Sequence, residues 1–221
     1  MSDAPSRILA AATRCIVRDG LARVRMAGIA KEAGVSAGLL HYHFATKERL
    51  FAAVLAYSHD VAGALNEEAL AKAGSGAAQR LSLFLDRCLP SDEGLSHEWL
   101  LWQELVLLCI RQPDLAGVSA EVYEDLYATT ADIIVEGMDS GVFAQHVDPR
   151  RVAETAVSLC DGLGARVLAG DPRMTLVEAR GVLAQTVGVL VGHDGPLPEP
   201  GDLPGDLSGN LSATREALQR G

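Results

Sequence analysis

The chain has 221 residues, 48% of them hydrophobic, and a formal net charge of −10. That length is enough for one large domain, or for a small domain joined to a larger one with its own core. The acidic total argues against loose polyanion binding over the whole surface. Apolar runs such as Leu105 to Ile110 are too short to span a bilayer.

The N-terminus is polar and carries no signal-peptide core, so a cytoplasmic protein with no membrane partner is expected. Charge is unevenly placed. Residues 1–50 hold eight Lys/Arg against four acids, a net of +4, while the remainder, with 11 basic and 25 acidic residues, carries −14. Such a change of sign suggests different partners for the two parts, with any nucleic-acid contact confined to the basic end. The four cysteines (Cys15, Cys88, Cys109, Cys160) are far apart with no C-x-x-C pair, and each falls in an apolar helical stretch where a free thiol behaves as a small core residue. No metal and no cofactor is expected.

Periodicity up to residue 193 is helical. Ile8, Ala11, Ala12, Cys15 and Ile16 mark one face of a first helix, stopped at Asp19-Gly20. Met26, Ile29, Ala30 and Ala33 make one face of a two-turn helix. Gly34 then supplies the left-handed conformation of a sharp exit. Ser36 caps a short third helix, and Thr46 caps a longer one reaching about residue 72. After the loop Ala73-Gly74-Ser75-Gly76, further helices are expected at 77–89, 95–111, 114–140, 149–169 and 173–192, separated by turn and breaker residues. The Pro/Gly/Asp-rich stretch after His193 reads as a disordered tail. The expected fold is all-α. A three-helix helix-turn-helix DNA-binding domain (1–50) precedes a larger helical effector-binding and dimerisation domain (51–193), with the tail at 194–221.

Helix, glycine turn and second helix are the layout of a helix-turn-helix. With Leu40 facing inward, a step of about 100° per residue brings Phe44, Ser36 and Ala37 near the same side and turns Gly38 and Tyr42 outward, flanked by Leu39 and His41. That outward face is unusual against water but suits a major groove. Leu39 can meet a thymine methyl, Tyr42 and His41 can reach phosphates or base edges, and Gly38 permits close approach. Lys47, just inside the next helix, could hold a phosphate with the helix N-terminal amides. His43 and Phe44 are more simply read as covering the helix junction.

Ile29-Ala30, Ala33-Gly34-Val35-Ser36, Gly38, Leu40, Tyr42-His43-Phe44 and Lys47-Glu48 resemble the N-terminal helix-turn-helix of TetR-type transcriptional regulators, over about residues 5–55. His41 stands where that family usually has tyrosine, Arg25 where a Ser or Thr commonly caps helix two, and Ile16 replaces a common phenylalanine. The resemblance implies a homodimer whose two recognition helices occupy successive major grooves of a pseudo-palindromic operator, ~34–36 Å apart. Its DNA-facing set is Arg25, Ser36, Ala37, Gly38, Leu39, His41, Tyr42, His43 and Lys47, with Arg25 making its own phosphate contact.

Two stripes of small residues, Gly162, Ala165 and Ala169, then Gly181, Ala184 and Gly188, would let two helices of each subunit approach closely in a four-helix dimer interface. The segment containing Trp99 and Trp102 resembles the ligand-binding domain of choline-responsive repressors, over about residues 95–192. Tyr57, Glu98, Trp99, Trp102, Tyr123 and Tyr127 are the candidate effector residues, an alternative reading of the aromatics being ordinary core. Aromatics beside a carboxylate (Glu98, Glu104, Glu124 or Asp132) could enclose a cation. The expected activity is a repressor released from DNA by a small-molecule effector, the rival being a helical binding or adaptor protein without DNA binding. No G-x-S-x-G, P-loop or H-E-x-x-H motif appears, and the histidines are dispersed, so no enzyme is expected.

Overall fold

The computed structural model describes residues 3–73 and 76–200, with the side chains of all of these except 62, 64–69, 71–73, 93 and 94. Along the described chain run α1 (Ala4–Asp19), α2 (Met26–Ala33), α3 (Ala37–His43), α4 (Lys47–Ala73), α5 (Ala77–Arg87) and α6 (Glu93–Arg111). A 3-10 turn (Pro113–Leu115), α7 (Ala116–Asp139), α8 (Pro149–Leu168) and α9 (Leu176–Leu190) follow. The protein is all-α, with no strand among the described residues.

Local chemistry accounts for the boundaries. The Asp3 carboxylate accepts the Ser6 N–H at 3.0 Å and caps α1, with proline in its first turn. Gly34 takes φ 65° and ψ 36°, which lets Val35 N–H return to the Ala30 carbonyl at 3.0 Å and close α2. Asp148 caps α8 ahead of Pro149. The last helix begins a few residues later than its periodicity suggests. Thr175 and Glu178 form a reciprocal capping box there, while Asp171 binds Arg166 and the Arg173 N–H and holds the preceding residues in a turn.

The described residues form two compact units, the chain up to Ala64 with Leu100–Val122, and Leu65–Trp99 with Tyr123 onward. In the first, Ile8, Ala11, Ala12, Cys15 and Ile16 of α1 are all buried, as are Ile29, Ala30 and Ala33 of α2, Leu40 of α3 and Leu50, Phe51, Val54 and Leu55 of α4. The expected core faces of α1 and α2 are the observed ones, except that Met26 is only half-buried. Glu32 of α2 bridges Arg14 and Arg18 of α1, each at 3.1 Å, and ties the two helices at the surface.

The second unit is built on Leu81, Phe84, Leu85 and Leu89, Ile133 and Ile134, Cys160 and Leu163, and Leu183, Val187 and Val191. Glycine allows two close approaches in this unit, a turn residue onto α7 and α6 onto α8. A Cβ on Gly137 would fall 2.0 Å from the Phe143 ring, and one on Gly164 would fall 2.4 Å from the Trp99 ring. Residues 194–200, expected as the start of a disordered tail, instead pack on this core. Leu197 is buried and donates its N–H to the Ala184 carbonyl at 2.9 Å, and the Pro198 carbonyl accepts from Ser82 Oγ at 2.6 Å. Regular composition rules miss this because one leucine and a few backbone hydrogen bonds suffice to seat a proline-rich strap. The rest of that expected tail lies outside the described residues. All four cysteines are free thiols, three of them buried. No described helix is long and apolar enough to cross a membrane.

Candidate nucleic-acid interface and effector site

The short helix α3 is held by very little. Ser36 Oγ accepts the Leu39 N–H at 3.1 Å, Leu40 is fully buried, and the other six residues of the helix are all exposed. Burying one leucine stabilises by about 1.5–3 kcal/mol, so Leu40 is the anchor that fixes the helix against α2. Tyr42 stands 82% exposed, with Leu39 beside it, and its ring meets His43 edge-on at 5.2 Å. Ser36 and Ala37, expected to turn inward with Leu40, are exposed, because a seven-residue helix seated through a single side chain covers only one position. Phe44 is half-buried at the junction. Among the described residues nothing requires glycine at position 38: the nearest atom to a Cβ there is Ser36 Oγ, at an unstrained 3.9 Å. Any demand for smallness at that position comes from outside.

Around this helix the basic residues divide. Arg14 and Arg18 are drawn to Glu32 and Asp19, and the guanidinium of Arg18 holds the Glu32 carboxyl below the usual carboxylate range. Arg23 donates to the Asp19 carbonyl at 2.6 Å. Arg25 occupies the cap position of α2 without a capping hydrogen bond from its side chain and is exposed, as are Lys31 and Arg49. Lys47 donates to the Leu21 carbonyl at 3.1 Å and lies 5.2 Å from the Phe51 ring centroid. Its ammonium has three donors, so this tether steers it without exhausting it.

The six effector candidates are divided between the units. Tyr57 and Trp102, both half-buried, belong to the first, and burial pushes the Tyr57 hydroxyl pKa up. Glu98, Trp99, Tyr123 and Tyr127 belong to the second. Trp99 is core: its indole N–H donates to the Cys88 carbonyl at 3.2 Å and its ring lies on Gly164. Tyr123 and Tyr127 stack with centroids 5.9 Å apart. The Tyr123 hydroxyl donates to Asp161 at 2.8 Å, and burial raises the Asp161 carboxyl pKa, with that hydrogen bond opposing. The Arg150 guanidinium lies 5.0 Å from the Tyr127 ring and pairs with Glu124 and Glu154. Glu124 is therefore engaged at the surface, and Glu104 and Asp132 are exposed.

Among the small-residue positions, Gly162, Ala169 and Gly181 are exposed, and no described residue lies within 4 Å of a Cβ on either glycine. Ala165 is half-buried. Gly188 is different. It is buried beneath the strap, 2.7 Å separating its Cβ position from the Gly195 oxygen, and the carbonyl of half-buried Ala184 receives the strap's Leu197 N–H. The smallness of Gly188 thus has a reason within its own chain.

Residues 77–192 match the C-terminal region of BetI-type transcriptional repressors, and residues 8–54 match the bacterial regulatory proteins of the tetR family. The chain belongs to the TetR family. It is similar to a TetR-family regulator from Rhodococcus sp., 29% identical with a TM-score of 0.75 over 86% of this chain and 100% of that one. A regulator from Saccharomonospora viridis, solved in complex with choline, is 29% identical with a TM-score of 0.72 over 89% of this chain and 99% of that one. The HTH-type regulator PksA of Bacillus subtilis is 23% identical over 82% of this chain and 86% of its own length.

This TetR-family protein is a transcriptional regulator with a helix-turn-helix DNA-binding N-terminus and a ligand-binding C-terminal domain. Asp161 was not singled out by sequence reasoning. A signal for it exists: Val157, Cys160, Asp161 and Gly164 share one side of α8, so a lone carboxylate interrupts an otherwise apolar stripe.

Proposed function

We propose that this regulator reads a pseudo-palindromic operator as a homodimer and represses until a small organic cation releases it. The observation that carries the DNA reading is the face of α3, where Tyr42 and Leu39 project above a helix anchored by Leu40 alone, beside a glycine no internal contact requires. Major-groove readers present such uncharged reach, with cations at the margin for phosphates. Arg25, Lys47 and the exposed positions Ser36, Ala37, His41 and His43 supply the phosphate-facing rim of the same surface. DNA reading is assigned to residues 1–50, effector binding and dimerisation to 51–193. Pairing uses α8 and α9 through Gly162, Ala165, Ala169 and Gly181, with the exposed Val182 and Val189 as apolar contacts.

For the effector, a half-buried carboxylate at Asp161, hydrogen-bonded to Tyr123 of the stacked Tyr123–Tyr127 pair, favours an organic cation, drawn by charge and by the ring faces. The choline complex of the Saccharomonospora viridis relative supports that class. The cation lowers operator affinity by the difference between its affinities for the two conformations of the dimer. α4, which runs in sequence from the first unit into the second, would carry that difference.

Selection of bound fragments from genomic DNA supplies the operator. On it, Tyr42→Ala is expected to weaken binding by roughly 1–3 kcal/mol with the folded protein intact. Affinity that is unchanged, or that lacks steep salt dependence, would return α3 to a merely structural role. Choline titrated against the protein–operator complex tests the effector class, and Asp161→Asn should abolish the response.

A further inference from the structure

The effector site proposed above already holds a cation of its own. Arg150, the second residue of α8, places its guanidinium 5.0 Å from the centroid of the Tyr127 ring. Two carboxylates steady it there. Nη1 and Nη2 donate to Glu124, Nη2 at 2.6 Å, and Nε donates to Glu154, one turn along α8, at 2.8 Å. Tyr123, one turn earlier on α7, stacks on the same Tyr127 ring. Asp161 stands apart from this arrangement. It accepts the Tyr123 hydroxyl, and among the described residues no cation pairs with it. The charges nevertheless converge on one ring: burial raises the Tyr127 hydroxyl pKa, Asp161 and Glu154 raise it further, and Arg150 opposes them.

We propose that Arg150 is a built-in competitor for the organic cation, and that effector binding requires its guanidinium to leave the Tyr127 ring. The inference rests on the effector reading above and adds to it the residue that sets affinity and selectivity. The ring is stacked by Tyr123 and covered by Arg150, so an ammonium ligand gains it only by displacing the guanidinium. That displacement is a short movement. The Arg150 side chain is 42% exposed and those of Glu124 and Glu154 are 60% and 49% exposed, so the guanidinium can swing toward solvent while still paired with both. Ion pairs so exposed contribute little, and the guanidinium–ring contact is what the ligand has to outweigh. Asp161 provides the means, a half-buried carboxylate that Arg150 does not serve. A cation that reaches Asp161 and Tyr127 together therefore displaces Arg150, whereas one that meets the ring alone does not.

The test is calorimetric titration of choline into the full chain. Arg150→Gln should lower the Kd for choline by about three- to ten-fold. Loss of any positive charge near the site also favours a cation, so further comparisons isolate the ring. Arg151→Gln removes the same charge from the exposed neighbouring residue and should change Kd by less than about two-fold. The gain from Arg150→Gln should persist at ~0.5 M salt, where long-range charge effects are screened. In a Tyr127→Leu background that gain should vanish, since no ring remains to uncover; the other two comparisons do not depend on that variant folding. Choline bound by Arg150→Gln but not by wild type would also support the proposal. An equal gain in Arg151→Gln, a gain lost in salt or kept without the ring, or no gain at all would each overturn it. If Asp161→Asn abolishes choline binding and Arg150→Gln leaves it unchanged, the effector site stands and only the role of Arg150 falls. Absence of binding in both wild type and Arg150→Gln would overturn the two together.

Discussion

Gly188→Ala should damage the second unit through a specific route, the lifting of the strap. A Cβ at position 188 would fall 2.7 Å from the Gly195 oxygen, 3.1 Å from Leu197 N and 3.2 Å from Pro196 Cα. All three are backbone atoms, so no rotamer change relieves the overlap. Lifting the strap exposes Leu197, whose burial stabilises by about 1.5–3 kcal/mol, and breaks hydrogen bonds to Ala184 and Ser82 worth ~1 kcal/mol each. The better helix propensity of alanine returns up to about 1 kcal/mol. A net loss of about 2.5–5 kcal/mol follows, equivalent to a fall in Tm of roughly 5–20 °C for a chain of this size. The decisive assay is a double-mutant cycle by urea unfolding with Leu197→Ala, which on its own costs about 2–4 kcal/mol. If Gly188→Ala acts by displacing Leu197, the pair costs little more than either change alone. Additive losses would refute the route, and an unchanged midpoint for Gly188→Ala would refute the close approach itself.

Three other outcomes are expected. Leu40→Ala removes the single anchor of α3, so it should cost about 2–5 kcal/mol in the first unit and abolish operator binding without touching DNA. Gly38→Ala, by contrast, should leave thermal stability within about 1 kcal/mol yet weaken operator binding. Glu32→Gln should destabilise the first unit by about 1 kcal/mol at neutral pH. Because Arg18 and Arg14 lower the folded-state pKa of Glu32, its contribution is present above the unfolded value and lost as pH falls through the folded one, so wild type and variant should converge in acid. For Asp161 the sign reverses. Burial raises its pKa, so ionising it costs stability as pH rises between the unfolded and folded values, and Asp161→Asn should be as stable as wild type or more so at neutral pH. Cation binding needs the ionised form and should weaken as pH falls through that raised value, which calorimetric titration of choline over a falling pH series would measure. A pH-independent affinity would exclude Asp161 as the counter-charge.

Much of this protein was written in short-range pattern. Helix starts and stops depend on groups three or four residues apart, so Ser36, Thr46, Asp148 and Gly34 announce their elements without reference to the rest of the chain. The buried faces of α1 and α2 follow from the same 3.6-residue period, and the motif from Ile29 to Glu48 was sufficient to point to the family. Pairings across long separations had no such local trace. Trp99 faces Gly164, Tyr123 reaches Asp161, and Lys47 is held by the Leu21 carbonyl, each through packing that brings distant segments together.

The glycines make the distinction sharpest. In sequence Gly162, Gly181 and Gly188 look alike, members of stripes that permit close packing. Only the tertiary structure separates them, because it brings the backbone of residues 195–197 onto Gly188 and leaves the other two facing open space. Smallness at a position is legible in one dimension; what that smallness admits is decided in three.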